Sequence, residues 1–282
     1  MIHSFEIKDP DKTHIAWWAK VPALAKPRTF EFRPGLNILW GKNGSGKTTV
    51  VKALAQLFHC EQSGQPVVTQ TSIENLFDRF RFGEDKEQKA FVKAISLKHD
   101  GQGVRYFDPS VAVGLFGGIA AFDWDFSGEG VANAMFKGSA GQTTMFRMDK
   151  LLGSIAEGKV PKVERRVKEH SFNSTWSERL KIAERFLKGS GEVGPPTVLL
   201  DEPERSFDLP HQIAVWRFIR ATTSRVQYIV ASHALYALNI PEAHYIEMEP
   251  EYLDQSCRCL KALTGWADEK PALNLARSSK TK

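Results

Sequence analysis

A glycine-rich run, Gly41-Lys42-Asn43-Gly44-Ser45-Gly46-Lys47-Thr48, contains the residue types that bind phosphate. It matches the pattern G-x-x-x-x-G-K-[ST] in full. Glycines allow successive backbone N–H groups to point at one anion, and the positive end of a following helix faces the same place. Lys47 would add a cation for the β- and γ-phosphates, and the Thr48 hydroxyl is placed to ligate Mg²⁺. The run therefore predicts a phosphate-binding loop.

Two carboxylates and one histidine follow apolar runs further along the chain. Asp201 and Glu202 come directly after Thr197-Val198-Leu199-Leu200, and His233 follows Tyr228-Ile229-Val230-Ala231-Ser232. An acid that faced the core there would be costly, whereas one that faces a metal is tolerated. We expect Asp201 to hold the Mg²⁺ shell and Glu202 to act as the base that orients water. His233 is placed to donate a hydrogen bond to a γ-phosphate.

The elements that must position these residues alternate between strand and helix. An apolar strand at 36–40 enters the glycine-rich run, and an amphipathic helix at 48–59 leaves it. Further strands are predicted at 2–8, 29–33, 120–126, 197–200 and 227–230, a hairpin at 91–107, and helices at 72–80, 144–155, 174–188 and after Pro210. Strand–loop–helix units of this kind predict an α/β fold with a parallel sheet covered by helices.

Together these motifs resemble the ATP-binding-cassette (ABC) ATPase family of P-loop NTPases. Residues 41–48 resemble its Walker A motif, 198–202 its Walker B motif with catalytic glutamate, 206–208 its D-loop, and His233 its switch histidine. The resemblance implies a mixed sheet flanked by helices, with a helical subdomain that carries a signature loop. It implies catalytic roles for Glu202, His233 and Lys47, and Mg²⁺ ligation by Thr48 and Asp201. ATP would be held by Asn43, Gly44, Ser45, Gly46, Lys47, Thr48, Thr49, Ser139, Gly141 and Gln142.

The signature loop implied by the resemblance has two candidates. Residues 138–142, Gly-Ser-Ala-Gly-Gln, match in residue type, but they lie far from Asp201 and require an insertion. Residues 174–178, Ser-Thr-Trp-Ser-Glu, lie closer to Asp201 and lack the glycine. We favour 138–142, because glycine permits the close approach of backbone to phosphate that Trp176 would hinder. The glutamine of the Q-loop is not identified, and Trp17 and Trp18 are candidates for adenine stacking or for the core.

Within the family, residues 201–206 are most similar to the soluble ATPases of the Rad50, SMC and OLD groups, including AAA family ATPases of anti-phage defence systems such as Septu. That similarity implies a head-to-tail dimer around two Mg-ATP, coupled to a separate effector such as a nuclease, or to DNA or RNA, in bacterial defence or DNA maintenance. The alternative is the ATP-binding subunit of an ABC membrane transporter.

Composition sets broader expectations. The chain has 282 residues, 42% hydrophobic and 25% charged, which is ordinary for a soluble globular protein. The family resemblance implies a single ATPase domain over 1–264 with an inserted helical subdomain at about 60–190. Residues 161–190 carry eight basic and four acidic side chains, and a loose basic tail is expected at 265–282, so polyanion contact is one interpretation and a solvated face the other. The three cysteines suggest no disulfide framework. Without an apolar membrane span or signal peptide, we expect a cytoplasmic protein.

Overall fold

The computed structural model describes residues 1–9, 21, 24–61, 64–76, 90, 93–109, 140–167, 174–205 and 207–264. The strands are β1 (Ile2–Ile7), β2 (Arg28–Glu31), β3 (Leu36–Trp40), β4 (Val67–Val68), β5 (Ile95–His99), β6 (Val104–Phe107), β7 (Glu164–Arg165), β8 (Thr197–Asp201), β9 (Gln227–Ala231) and β10 (His244–Glu247). The α-helices are α1 (Lys47–Leu57), α2 (Gln70–Leu76), α3 (Ala140–Ala156), α4 (Ser174–Phe186), α5 (Leu209–Thr222) and α6 (Tyr252–Thr264); a 3₁₀ helix spans Leu235–Asn239.

A five-stranded parallel sheet lies at the centre, in the order β10-β3-β9-β8-β6. Its three central strands are buried along their whole length and mainly apolar, as expected for a sheet covered on both faces. A second, antiparallel sheet has the order β2-β1-β5, and β4 pairs with β7. The predicted α/β class is therefore confirmed, and the predicted strands at 36–40, 197–200 and 227–230 correspond to β3, β8 and β9.

Alternate side chains of the parallel strands enter two separate cores. Leu199 and Ile229 pack into a core formed with α1, α2, α4 and the antiparallel sheet. Their neighbours Val198 and Tyr228 pack into a core formed with α3, α5 and α6. Because side chains alternate along a strand, this arrangement places apolar residues at successive positions in the middle of the central strands, whereas Asn37, Thr197 and Gln227 near their starts are buried polar residues. Two layers of apolar packing thus hold the sheet in place.

The predicted hairpin at 91–107 is wrong. Its two strands exist, but β5 pairs antiparallel with β1, while β6 pairs parallel with β8 in the other sheet. The connection His99-Asp100-Gly101-Gln102-Gly103 therefore crosses between sheets. The Asp100 carboxylate accepts backbone hydrogen bonds from Gln102 and Gly194, which hold the connection against the segment before β8. The predicted strand at 120–126 and the tail at 265–282 lie outside the described residues.

One buried side chain ties the two sheets together. Gln227, at the start of β9, is fully buried; its amide donates to the carbonyls of Ile2 (2.7 Å) and Arg33 (3.0 Å). Its carbonyl oxygen accepts from the N–H of Ile2 (2.8 Å) and the hydroxyl of Thr197 (2.7 Å). The amide thus uses its full hydrogen-bonding capacity, and its two hydrogen bonds with Ile2 join β1 to the parallel sheet.

We therefore expect Gln227→Leu to destabilise the protein by about 2–4 kcal/mol, because it leaves several buried backbone groups without partners at about 1–3 kcal/mol each. Urea unfolding monitored by circular dichroism measures the change. The matched control is Gln255→Leu, at an exposed position on α6, which should unfold within about 0.5 kcal/mol of the wild type. Equal stability of the two variants would contradict the role assigned to Gln227.

Candidate active site

Three segments meet at the carboxyl edge of the parallel sheet. The glycine-rich run follows β3, Asp201 ends β8, and His233 lies just after β9. Since β9 pairs with both β3 and β8, the ends of these strands are adjacent. The fold thereby assembles residues that are far apart in sequence, at the edge where open α/β sheets bind ligands.

The glycine-rich run has the backbone geometry of an anion-binding loop. Gly44 and Gly46 have positive φ angles of 78° and 94°, and Gly46 immediately precedes α1. A Cβ atom at Gly41 would lie 2.7 Å from both Met248 Cβ and Ser45 Oγ, so only glycine fits there. Ser45 Oγ is buried and has no hydrogen-bond partner among the described residues. A phosphate oxygen would satisfy it, together with the first N–H groups of α1.

Lys47 is the buried cation of the loop. It is 4% exposed, and its Nζ donates to the carbonyls of Gly41 (2.7 Å) and Lys42 (2.8 Å). Burial lowers the pKa of Lys47 to about 8, while Glu202, Asp201 and Glu249 act in the opposite direction. The side chain is therefore mainly protonated at neutral pH and is held beside the loop by its own backbone.

Thr48 and Asp201 form the direct contact between the loop and β8. The Thr48 hydroxyl donates to Asp201 Oδ1 at 2.7 Å, and Asp201 is 4% exposed. Burial raises the pKa of Asp201 to about 6, with Asp108 and Glu202 adding to the rise and Thr48 and Lys52 opposing it. A hydroxyl and a carboxylate are the hard oxygen donors that Mg²⁺ prefers.

This donor pair fits Mg²⁺ that arrives with a nucleotide. Among the described residues, no group of three or more His, Cys, Asp or Glu side chains could hold a metal ion. Mg²⁺ commonly binds through one or two protein oxygens plus substrate phosphates and waters. Thr48 and Asp201 would hold it next to the phosphate loop, where it would neutralise charge on the phosphate oxygens.

Glu202 and His233 face each other across the ends of β8 and β9. Glu202 Oε1 lies 3.5 Å from His233 Nε2, and both side chains are partly exposed. Glu202 has a positive φ of 47°, an uncommon conformation for a residue that is not glycine, and such strain is concentrated at functional sites. Burial and nearby Lys47 lower the pKa of His233, although Glu202 opposes the shift, so a neutral imidazole faces the carboxylate at neutral pH.

An acid and a lysine at this edge were not identified from sequence. Asp108 directly follows β6 and is 3% exposed; its Oδ2 lies 3.0 Å from Lys52 Nζ and accepts from the Tyr106 hydroxyl at 3.2 Å. Lys52 Nζ also lies 4.0 Å from Asp201 Oδ2. The signal was present, because Asp108 directly follows the predicted strand at 104–107 much as Asp201 follows 197–200, but the hairpin interpretation placed β6 outside the parallel sheet. Gln102 precedes β6 and so lies at the opposite edge of the sheet from the site.

Other predicted site residues lie partly outside the described chain. Gly138, Ser139, Ser206, Trp17 and Trp18 are among the residues that the structure does not describe. Gly141 and Gln142 lie in the first turn of α3, and the competing candidate at 174–178 forms the first turn of α4. Both candidates thus occupy a helix N-terminus, and the choice between them stays a prediction.

Asp208, in the predicted D-loop, has a structural role in this chain. It is the N-cap of α5, and its carboxylate accepts a hydrogen bond from the N–H of His211. The preceding Phe207 is buried in the core beside α5.

Lys52 is expected to control the charge of Asp201. Burial alone would lower the pKa of Lys52, but Asp108 and Asp201 raise it above its ordinary value. In Lys52→Met these two carboxylates lose their shared cation, so the pKa of Asp201 should rise further. Calorimetric titration of Mg²⁺ in the presence of a non-hydrolysable ATP analogue should then show about tenfold weaker affinity, a free-energy change of about 1.4 kcal/mol.

Two variants control this measurement. Lys52→Arg keeps the cation and should retain most of the Mg²⁺ affinity, and Lys181→Met changes an exposed lysine on α4 and should behave as the wild type. Wild-type affinity in Lys52→Met would show that Lys52 does not influence Asp201.

Comparisons with known proteins identify a family over part of the chain. The family model described as "AAA domain" matches residues 21–190, a span that contains the glycine-rich loop and ends before Asp201. Among solved structures, the chain is similar to the ATP-binding cassette MJ0796, described as a dimer in a post-hydrolysis state bound to ADP and Pi. The identity is 13% and the TM-score 0.32, with 79% of this chain and 86% of that chain covered. No curated protein matches the chain.

The structure adds that none of the described helices has the length and apolar character needed to cross a bilayer. The family model spans more than half of the chain, and the loop that it contains has the geometry of a phosphate site. The chain therefore belongs to the AAA domain family and is a P-loop ATPase.

Proposed function

We propose that this ATPase works as a soluble switch of the ATP-binding-cassette type, which closes as a head-to-tail dimer around two Mg-ATP. The observation that carries the proposal is the 2.7 Å hydrogen bond between Thr48 and Asp201, with Glu202 and His233 at the same sheet edge. These residues supply a phosphate loop, a metal-binding pair and a base at one place. The motif resemblance adds the dimer, because a cassette site is completed by the signature loop of the second subunit.

The residues of one chain would prepare hydrolysis without completing it. The loop and Lys47 bind and orient the phosphates, and Glu202 accepts a hydrogen bond from the attacking water and polarises it. His233 would donate to the γ-phosphate. Further donors are needed where negative charge develops, and a signature loop from the partner would supply them. We therefore expect slow turnover by the isolated chain and faster turnover when a partner aligns the dimer.

Glu202→Gln should separate binding from hydrolysis. The amide still occupies the site but no longer polarises water, so kcat should fall by about 10²- to 10³-fold while ATP binding is kept. With Mg-ATP, a dimer should accumulate in analytical ultracentrifugation. Lys47→Ala, in contrast, should lose nucleotide binding and stay monomeric, and Glu192→Ala, in an exposed loop, should match the wild type. A Glu202→Gln protein that hydrolyses ATP at the normal rate would refute the proposal.

The proposed function includes a binding partner for the ATPase. We infer coupling to a separate effector protein, such as a nuclease, or to nucleic acid, in a defence or DNA-maintenance role. In the basic stretch, Arg165 pairs with Glu184 at 2.9 Å and Arg166 pairs with Glu164 through two hydrogen bonds. All of these side chains are at least partly exposed, so a nucleic-acid phosphate would have to compete with these two glutamates for the guanidinium groups.

Reversing both charges, R165E together with R166E, tests the nucleic-acid branch. If the stretch binds DNA, affinity should fall and the slope of log K against log salt should flatten by about one for each lost phosphate contact. Fluorescence anisotropy with labelled duplex at several salt concentrations measures both quantities. Lys159→Glu, at an exposed lysine paired with Glu157, is the matched control. Unchanged DNA affinity would leave the arginines with a structural role and favour a protein effector.

A further inference from the structure

Glu204 connects the loop after β8 to the loop after β9. It lies three residues beyond Asp201 and is 8% exposed. Its Oε1 accepts a hydrogen bond from the Ser232 hydroxyl at 2.7 Å and a longer one from the backbone N–H of His233 at 3.3 Å. One carboxylate oxygen thus binds the backbone of the residue whose side chain faces Glu202.

Two further hydrogen bonds make the two loops one unit. Ser232 is fully buried, and its hydroxyl donates a hydrogen bond to Glu204. The same hydroxyl oxygen accepts a hydrogen bond from the N–H of Ala234 at 2.9 Å. The N–H of Glu202 donates to the carbonyl of Ala231 at 2.8 Å. Every residue from Ala231 to Ala234 is therefore engaged in this hydrogen-bonded unit, directly or through Ser232. The position of His233 relative to Glu202 is fixed by this network.

Making this connection with a buried carboxylate costs stability. Glu204 Oε2 is buried and has no hydrogen-bond partner among the described residues. Burial raises the pKa of Glu204, and the nearby Glu202 raises it further. The hydrogen bonds from Ser232 and His233 act in the opposite direction. A buried carboxylate with an unsatisfied oxygen lowers stability, and groups of this kind need an explanation other than packing. The strained backbone of Glu202, two residues away, lies in the same turn.

We propose that Glu204 is a positioning residue for ATP hydrolysis, which acts by holding the backbone of His233 so that its imidazole stays opposite the Glu202 carboxylate. The proposal rests on the proposed function, since it needs His233 to take part in turnover. Among the described residues, the Glu204 side chain makes its hydrogen bonds with Ser232 and His233, and none with the phosphate loop or Lys47. Its loss should therefore lower kcat and leave nucleotide binding nearly unchanged.

The test is a double-mutant cycle between Glu204 and His233, with ATP turnover as the readout. We expect Glu204→Ala to lower kcat by about tenfold or more with KM for ATP within about twofold of the wild type, and His233→Ala to lower kcat at least as much. Glu204→Ala, His233→Ala together should be no slower than His233→Ala alone, because Glu204 acts only through His233. Glu204→Gln should retain more activity than Glu204→Ala, because its amide oxygen can still accept from Ser232 and His233.

A second variant protects the test against misfolding. Ser232→Ala removes the main donor to Glu204 without removing a charge, and it should lower kcat to a similar extent as Glu204→Ala. Thermal melting and binding of a fluorescent ATP analogue show that each variant is folded. Glu192→Ala, in an exposed loop, is the matched control and should keep wild-type kcat.

Two results would overturn the inference while leaving the proposed function in place. One is multiplicative loss of kcat in the double variant, which would show that Glu204 acts independently of His233. The other is wild-type kcat in both Glu204→Ala and Ser232→Ala while His233→Ala is impaired. If His233→Ala itself turns over ATP at the wild-type rate, the role assigned to His233 under the proposed function fails, and the inference about Glu204 fails with it.

Discussion

The hydrogen bond between Thr48 and Asp201 is the contact on which the site depends. It joins the glycine-rich loop to the end of β8, two segments that are distant in sequence and are brought together by the sheet. Thr48 lies in the first turn of α1, and Asp201 ends β8. α1 packs against β8 and β9 through its apolar face, so the hydroxyl meets the carboxylate only when that core is formed. Folding of this core and the assembly of the proposed metal-binding pair therefore occur together.

The same edge concentrates acidic side chains that the fold must compensate. Asp108, Asp201 and Glu204 are all nearly buried, and Glu202 is partly exposed beside them. Lys52 lies between Asp108 and Asp201, and Lys47 lies near Asp201 and Glu202. Removing one partner of such a buried cluster costs more than the pair contributes, because a charge is left without compensation in a region of low polarity. This balance explains why Lys52 on α1 lies between these carboxylates, and the proposed Mg²⁺ would add further positive charge beside Asp201.

Local patterns predicted the parts of the fold in which a single physical requirement dominates. Residues 36–40 are apolar except for Asn37 and form β3, which is buried throughout. The glycine-rich run was recognised from its G-x-x-x-x-G-K-[ST] pattern between a strand and a helix, and two of its glycines, Gly44 and Gly46, have the positive φ angles that glycine adopts readily. β10 was missed because His244-Tyr245-Ile246-Glu247 neither alternates nor is apolar throughout, and all four residues are only half-buried at the edge of the sheet.

Pairing between strands is the property that the local sequence does not encode. The glycine and aspartate between β5 and β6 have the composition of a hairpin turn, yet the two strands enter different sheets. Whether they pair with each other depends on distant strands: β5 pairs with β1, and β6 pairs with β8. The roles of Asp108 and Lys52 depend on that choice, because only a β6 parallel to β8 brings Asp108 to the carboxyl edge. A wrong local turn assignment therefore hid two residues of the site.

The protonation state of His233 bears on the proposed role of Glu202 as the base. A protonated imidazole 3.5 Å from Glu202 would offset the negative charge that lets this carboxylate attract the proton of a water molecule. Burial and the neighbouring Lys47 lower the pKa of His233, so that the ring stays neutral at neutral pH. A neutral imidazole can still donate one N–H while leaving the glutamate charged. By holding the ring partly buried and near Lys47, this loop keeps the imidazole neutral, which is compatible with the proposed roles of Glu202 as base and of His233 as hydrogen-bond donor.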